Sequence, residues 1–214
     1  MKMAKNGFRV LDSDMHVMEP SELWDQYISP SFKDRAPHFR GDVDSQGFAN
    51  RWVVEGKVFP AHSETKARTE SLKGRHDHIT DRFAEARASK FDASSQMKAL
   101  DVEGIDIAVL FRTFGAHVIA LDDMDPELAL AICRGYNDWL ADFCSLNSSR
   151  LKGAAQMPMH DVDKAVMEAR RAVKDLGAVA LVLPSNPVNR RPWYDPYYEP
   201  FWSEAEQLGV PVCF

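Results

Sequence analysis

The sequence predicts an α/β fold, and three observations carry that prediction. Apolar runs of strand length recur through the second half of the chain. Each is followed by a segment of helical periodicity, about three to five turns long. Strands separated by one such helix pair in parallel through right-handed crossovers.

In chain order, the first strand runs from Phe8 to Asp12 and leads into Asp14-Met15-His16. Roughly 90 residues then pass before the next buried strand, too many for a simple crossover. Within them Ser21 to Tyr27 reads as a short capped helix, and about 38–95 reads as a polar insertion with aromatic residues at intervals. Two readings of the insertion stand: a lid over the strand ends, where such folds build their sites, or a partly disordered surface segment.

The second half is more regular. Ile105 to Phe111 reads as a buried strand. After the acidic turn Asp122 to Pro126, Leu128, Ile132, Tyr136, Trp139, Leu140 and Phe143 recur at helical spacing and mark one apolar face. Lys152 to Met157 forms the next strand, followed by a helix with the face Val166, Ala169, Val173 and Leu176 and a stop at Gly177. Val179 to Leu183 repeats the pattern. A loop rich in Asn and Pro follows, and Phe201, Trp202, Ala205 and Leu208 mark a helix closed by Gly209. Val210 to Phe214 opens a further strand. No Gly-x-Gly-x-x-Gly follows any of these strands, which disfavours a dinucleotide-binding sheet.

A chain of 214 residues with 45% apolar and 27% charged residues can bury one sizeable core, so a single domain over 1–214 is expected. The net charge of −6, with basic residues interspersed among acids, argues against a nucleic-acid partner. No apolar run reaches the roughly 20 residues of a membrane helix, and the first residues hold no signal core, so a cytoplasmic location is expected. Cys133, Cys144 and Cys213 form no disulfide framework. On one helix, Cys133 and Cys144 stand about 16 Å apart, beyond bridging distance.

The segment Asp12-Ser13-Asp14-Met15-His16 carries the most chemistry. Residues two apart in an extended chain project to one face, so Asp14 and His16 can share a divalent metal. The alternative is an Asp and a His satisfied by turn amides at a strand end. His76-Asp77-His78 has the same composition but sits in a charged run without strand character, so the shared-face argument does not reach it. His160, near the end of a strand, either lines a site or starts a helix beside Asp161. Trp193, Tyr194, Tyr197 and Tyr198 either wall a pocket or pack a loop onto the next helix.

The run Val10-Leu11-Asp12-Ser13-Asp14-Met15-His16-Val17-Met18-Glu19-Pro20, followed by Leu23-Trp24, resembles the opening of the amidohydrolase-related (amidohydrolase 2) family. Leu100-Asp101-Val102-Glu103-Gly104-Ile105-Asp106, Asp195-Pro196-Tyr197-Tyr198-Glu199-Pro200-Phe201-Trp202 and Leu208-Gly209-Val210-Pro211-Val212 are similar to it as well. The resemblance covers nearly the whole chain outside the insertion.

That resemblance implies a (β/α) TIM-type barrel, of which this chain forms the first half, about five strands, with a long insertion after the first strand. It implies one divalent metal ion held by the end of that strand, where Asp14 and His16 stand. Zinc comes first for such a site, and a carboxylate in place of the commoner first histidine suits Mn²⁺ or Mg²⁺ too. The family's further ligands, a His after the fifth strand and an Asp after the eighth, fall beyond Phe214. On the face where barrels place substrate groups, Arg112 and Asn186 are the candidate contacts to a small-molecule substrate; a rim salt bridge and a plain Asn-Pro turn are their alternatives. The implied chemistry is hydrolysis by metal-activated water, with non-oxidative decarboxylation by the same family as the alternative. A third reading is a truncated, inactive half-barrel that acts only as a homo-oligomer or with a partner segment.

Overall fold

A computed structural model of the chain describes residues 7–20, 22–40, 51–59, 84–113 and 118–214. The order of elements is β1 (Leu11–His16), α1 (Leu23–Tyr27), a 3-10 turn (Pro30–Arg35), β2 (His38–Arg40), β3 (Arg51–Val54) and β4 (Lys57–Phe59). Then come α2 (Ala84–Ala88), α3 (Ala93–Glu103), β5 (Ile107–Phe111), α4 (Pro126–Ser145), β6 (Leu151–Gln156), α5 (Val162–Lys174), β7 (Ala180–Val182), α6 (Glu199–Leu208) and β8 (Val212–Cys213). Strands β1-β5-β6-β7-β8 pair in that order, all parallel, and curl into a half-barrel; β2-β3-β4 form a separate antiparallel sheet. The α/β expectation and the five-strand half-barrel both hold.

Strand β1 starts later than Phe8, because Asp106 holds the chain just before it. The Val10 amide donates to Asp106 Oδ2 at 2.8 Å, and the Val10 carbonyl accepts the Asp106 amide at 2.9 Å. The strand then runs through Asp14 to His16, with an extra residue between Asp12 and Met15 relative to β5. Such a bulge re-aims the side chains that follow it.

Helix α4 behaves as its spacing predicts: Leu128, Ile132, Tyr136, Trp139, Leu140 and Phe143 are all buried. Asp125 caps it by accepting the Glu127 amide, and Pro126 occupies its first turn, where no amide hydrogen is needed. Cys133 and Cys144 lie on it as free, buried thiols. Close approach is built into both of its contacts. A Cβ on Gly135 would meet Trp24 Cδ1 at 3.3 Å, and one on Gly153 of β6 would meet Leu140 Cδ2 at 3.1 Å. Helix α6 ends as expected on Gly209 in the left-handed region.

Helix α5 differs from its predicted face. Ala165, Glu168, Ala169 and Ala172 are its buried residues along with Val162, whereas Val166 and Val173 are only partly covered and Leu176 lies past its end. The cause is Glu168, a carboxylate with no exposed surface. It accepts from Arg171 Nε and Nη2 at 2.8 and 2.7 Å, from Arg134 Nε at 3.1 Å and from Asn137 Nδ2 at 2.7 Å. Asn137 also takes both backbone groups of Gln156, donating to its carbonyl at 3.0 Å and accepting its amide at 2.7 Å. These bonds lock α4, α5 and β6 together.

The described part of the insertion includes the antiparallel strands β2, β3 and β4. Glu55 and Gly56 both have positive φ, 49° and 72°, and turn β3 into β4 as a tight hairpin. Trp52 and Val54 are buried, and Trp52 meets Trp24 of α1 edge-on at 4.9 Å. Ser21 falls outside the described residues; α1 starts after Glu22 without a side-chain cap. Among the described residues, no helix is long and apolar enough to cross a membrane.

Removing the Glu168 carboxylate leaves the buried Asn137 amide a partner short and takes a partner from Arg134 and Arg171, whose side chains are 41% and 23% exposed. Glu168→Ala is expected to cost about 1–3 kcal/mol of unfolding free energy, read from urea denaturation. Equal stability would show that water reaches these groups freely.

Candidate metal centre

Burial sorts the barrel strands into two faces. Ala108 and Leu110 of β5, Leu151 of β6, Leu181 of β7 and Met15 of β1 face the helices. Val109 and Phe111, Ala154, Ala180, Val182 and Cys213 form the opposite, inner layer. His16 follows Met15 and shares that inner side, with its ring 6.5 Å from Phe111.

Asp14 and His16 come together as the spacing predicts: His16 Nε2 lies 3.9 Å from Asp14 Oδ1, and the two side chains are 57% and 83% exposed. His16 Nδ1 lies 2.8 Å from the Arg112 carbonyl. A carbonyl only accepts, so Nδ1 carries a proton, and in the neutral ring that leaves the Nε2 lone pair for a ligand. Two donors 3.9 Å apart are within reach of one ion with ligand distances of about 2.1 Å. A carboxylate oxygen beside an imidazole nitrogen is a donor set that fits a divalent cation of borderline hardness. Cys213 faces the same space, its thiol pushed up by burial and further by the Asp14 carboxylate. Among the described residues, no three of His, Cys, Asp or Glu are grouped as a metal site needs.

Arg112 is placed differently from either expectation. It continues the alternation of Ala108 and Leu110, so its side chain enters the layer between sheet and helices, 7% exposed. Nη2 donates to the Leu183 carbonyl at the end of β7, 2.9 Å away, while Nε and Nη1 have no hydrogen-bond partner among the described residues. Burial lowers its pKa, against the influence of Tyr136, Cys133 and Glu19. It is thus neither a rim salt bridge nor a group facing the interior. Its backbone carbonyl is what reaches the site.

Asn186 is exposed on the loop after β7. Its neighbour Asn189, in the left-handed region with φ of 56°, is the one that binds the next loop, accepting the Asp123 amide at 2.8 Å. The aromatic cluster packs that loop onto α6: Trp193 lies 5.1 Å from Tyr198, and Trp202 Nε1 donates to the Trp193 carbonyl. Residues 76–78 fall outside the described residues.

Sequence reasoning overlooked Phe111, Cys213 and Gln156, and also Glu19 and Thr113, which brace the strand end. The signal for the first three was available, since parity along each strand assigns them to one face once a single inward residue is known.

The amidohydrolase family model matches residues 12–214. The chain belongs to that family. A gamma-resorcylate decarboxylase from Rhizobium radiobacter is 35% identical over 122 residues, 55% of this chain and 36% of that relative. The chain therefore spans about a third of the length of this relative. Among solved structures, an amidohydrolase from Mycobacterium avium subsp. paratuberculosis shares the fold with a TM-score of 0.68 at 19% identity, covering 96% of this chain and 57% of that one. A dihydroxybenzoic acid decarboxylase from Polaromonas sp., with bound manganese and 2-nitroresorcinol, gives 0.54 at 19% identity, covering 95% and 48%.

His160, 6% exposed, bonds the Leu121 carbonyl through Nε2 at 2.7 Å and ties the loop after β6 to the loop before α4. Burial lowers its pKa, opposed by that bond and by Asp122. A histidine held neutral in the fold stabilises it fully above its ordinary value of 6.5 and loses that contribution as pH falls toward the lowered folded value. Thermal melts should drop between about pH 7 and pH 5, and His160→Gln should flatten that slope while lowering the pH 7 midpoint. An unchanged slope would remove His160 from the account.

Proposed function

We propose that this amidohydrolase-family chain contributes the first metal-binding strand of a non-oxidative decarboxylase acting on an aromatic carboxylic acid. The observation that carries the reading is the Asp14/His16 pair, with His16 Nδ1 committed to the Arg112 carbonyl, on the inner face of a family half-barrel whose curated relatives include a decarboxylase of a resorcylate. Hydrolysis, placed first from the sequence, yields here to its decarboxylase alternative.

Asp14 Oδ1 and His16 Nε2 would hold the ion, together with ligands from outside the described residues. When bound, the ion supplies orientation of the substrate carboxylate and stabilises the negative charge that develops as the bond to the ring breaks. Carbon dioxide leaves, and the ring carbon takes a proton in its place. The chain's own inner layer does the rest. Phe111 stands beside His16, and Ala154, Ala180 and Val182 are buried in the same small, apolar layer. Asn186 is proposed to contact polar substituents at the open end, while Arg112 supports the strand from behind. Manganese, present in the dihydroxybenzoic acid decarboxylase structure, is the ion to load before zinc.

A second reading, that the chain acts only as a homo-oligomer or with a partner segment, has its own observation. Among the described residues, the outer strand β1 pairs on one side, and Phe8 and Leu11 beside it are 74% and 59% exposed. Such edges favour association. The free cysteines fit a reducing compartment, for which the cytoplasm is proposed.

Metal analysis by plasma mass spectrometry after gel filtration should find about one divalent ion per chain, lost in Asp14→Ala/His16→Ala. Manganese-loaded protein should then release carbon dioxide from 2,6-dihydroxybenzoate, and the elution volume reports the oligomer. Metal retained by the double variant would overturn the site, whereas metal bound without carbon dioxide release would overturn the substrate class.

A further inference from the structure

The carbonyl that orients His16 belongs to the peptide between Arg112 and Thr113, just past the end of β5. The other edge of that same peptide, the Thr113 amide, donates to Glu19 Oε1 at 2.9 Å. A trans peptide is a rigid plane whose C=O and N–H point in opposite directions, so fixing one edge aims the other. Glu19 is 7% exposed, a carboxylate taken out of water three residues beyond His16. Two further bonds close the knot: Thr113 Oγ1 donates to the Val17 carbonyl at 2.7 Å, and the Val17 amide donates to the Phe111 carbonyl at 2.9 Å.

We propose that Glu19 is a positioning residue for the candidate metal centre, acting on His16 through the Arg112–Thr113 peptide. The inference rests on the reading of Asp14 and His16 as metal ligands. Carboxylates commonly orient a ligating histidine by accepting its second ring proton directly. Here one peptide is interposed. The carboxylate accepts the peptide N–H, polarises the amide and strengthens its carbonyl as the acceptor of His16 Nδ1–H. The tautomer with Nε2 free for a ligand is thereby held before any metal arrives. Arg112 completes the support from the same layer, since its guanidinium bonds Leu183 and lies within electrostatic reach of Glu19.

The test compares Glu19→Ala and Glu19→Gln with the parent chain, using two readouts. The first is the His16 tautomer in metal-free protein, from long-range nitrogen–proton NMR, with the signal assigned by its loss in His16→Gln. The second is the Kd for Mn²⁺ alone, by calorimetry. The parent is expected to show Nδ1–H. Glu19→Ala should lose that preference and weaken Mn²⁺ binding about 10- to 100-fold. Glu19→Gln, which keeps an acceptor but not the charge, should fall between them and carries the test if the Ala variant does not fold. A merely structural Glu19 would lower the melting temperature and leave tautomer and Kd where they were, and that result overturns the proposal. If the parent takes up no Mn²⁺ but the tautomer still shifts in the variants, the relay stands and the metal reading falls. If the parent binds Mn²⁺ and neither readout moves, the metal reading stands and the relay falls.

Discussion

The half-barrel depends on one buried polar junction, where Asn137 and Glu168 join α4 and α5 to the end of β6. A buried carboxylate is stable only with its lone pairs occupied, and here two arginines and an amide occupy them. Asn137 is the hinge of the arrangement, because its other bonds go to the backbone of Gln156, which it pairs with as a neighbouring strand would. Gln156 is the last residue of β6, and the next residues carry the loop to His160. A shift of α4 along the sheet would therefore move the rim of the barrel with it. The network gives the rim one register where apolar packing alone would tolerate several.

A second constraint operates at the junction of β1 and β5. The bulge between Asp12 and Met15 sets which way His16 points, and the Arg112 carbonyl sets which nitrogen it offers. Both decisions are made by backbone. Phe111 and Arg112 are adjacent, yet one faces the interior and the other the helices, so a single residue of register separates a site residue from a buried support. The guanidinium at 112 is accordingly a structural cation.

Much of the fold was legible in the sequence. The face of α4 was, because its large apolar residues recur at helical spacing and outnumber the buried Asn137. The Gly209 stop was, because a left-handed cap leaves few choices but glycine. The face of α5 was not: a buried Glu168 looks like a solvent residue until Arg134 and Arg171 are placed beside it, and the alanines that pack there carry little hydrophobic signal. The hairpin of β3 and β4 was missed although Glu55-Gly56 between Val54 and Lys57 is turn chemistry with a mechanism. At the site, the shared face of Asp14 and His16 was legible from their spacing, while the metal came only with the family resemblance. Glu19 and Thr113 were not, since their roles depend on contacts across 90 or more positions of sequence.

The two faces of the strands also divide the work. Trp24, Leu110, Ile132, Tyr136, Leu151 and Leu181 lie buried on the helix side and supply the apolar area that stabilises the chain. The inner side holds smaller residues and the exposed pair Asp14 and His16, which contribute little to that area. Substitution of the exposed Asp14 is therefore cheap for folding, and chemistry can change there without disturbing the helix layer. The exception is His16, whose orientation is fixed from the helix side through Glu19 and the peptide at 112–113. There the face that stabilises the fold reaches through the sheet to the face proposed to carry the chemistry.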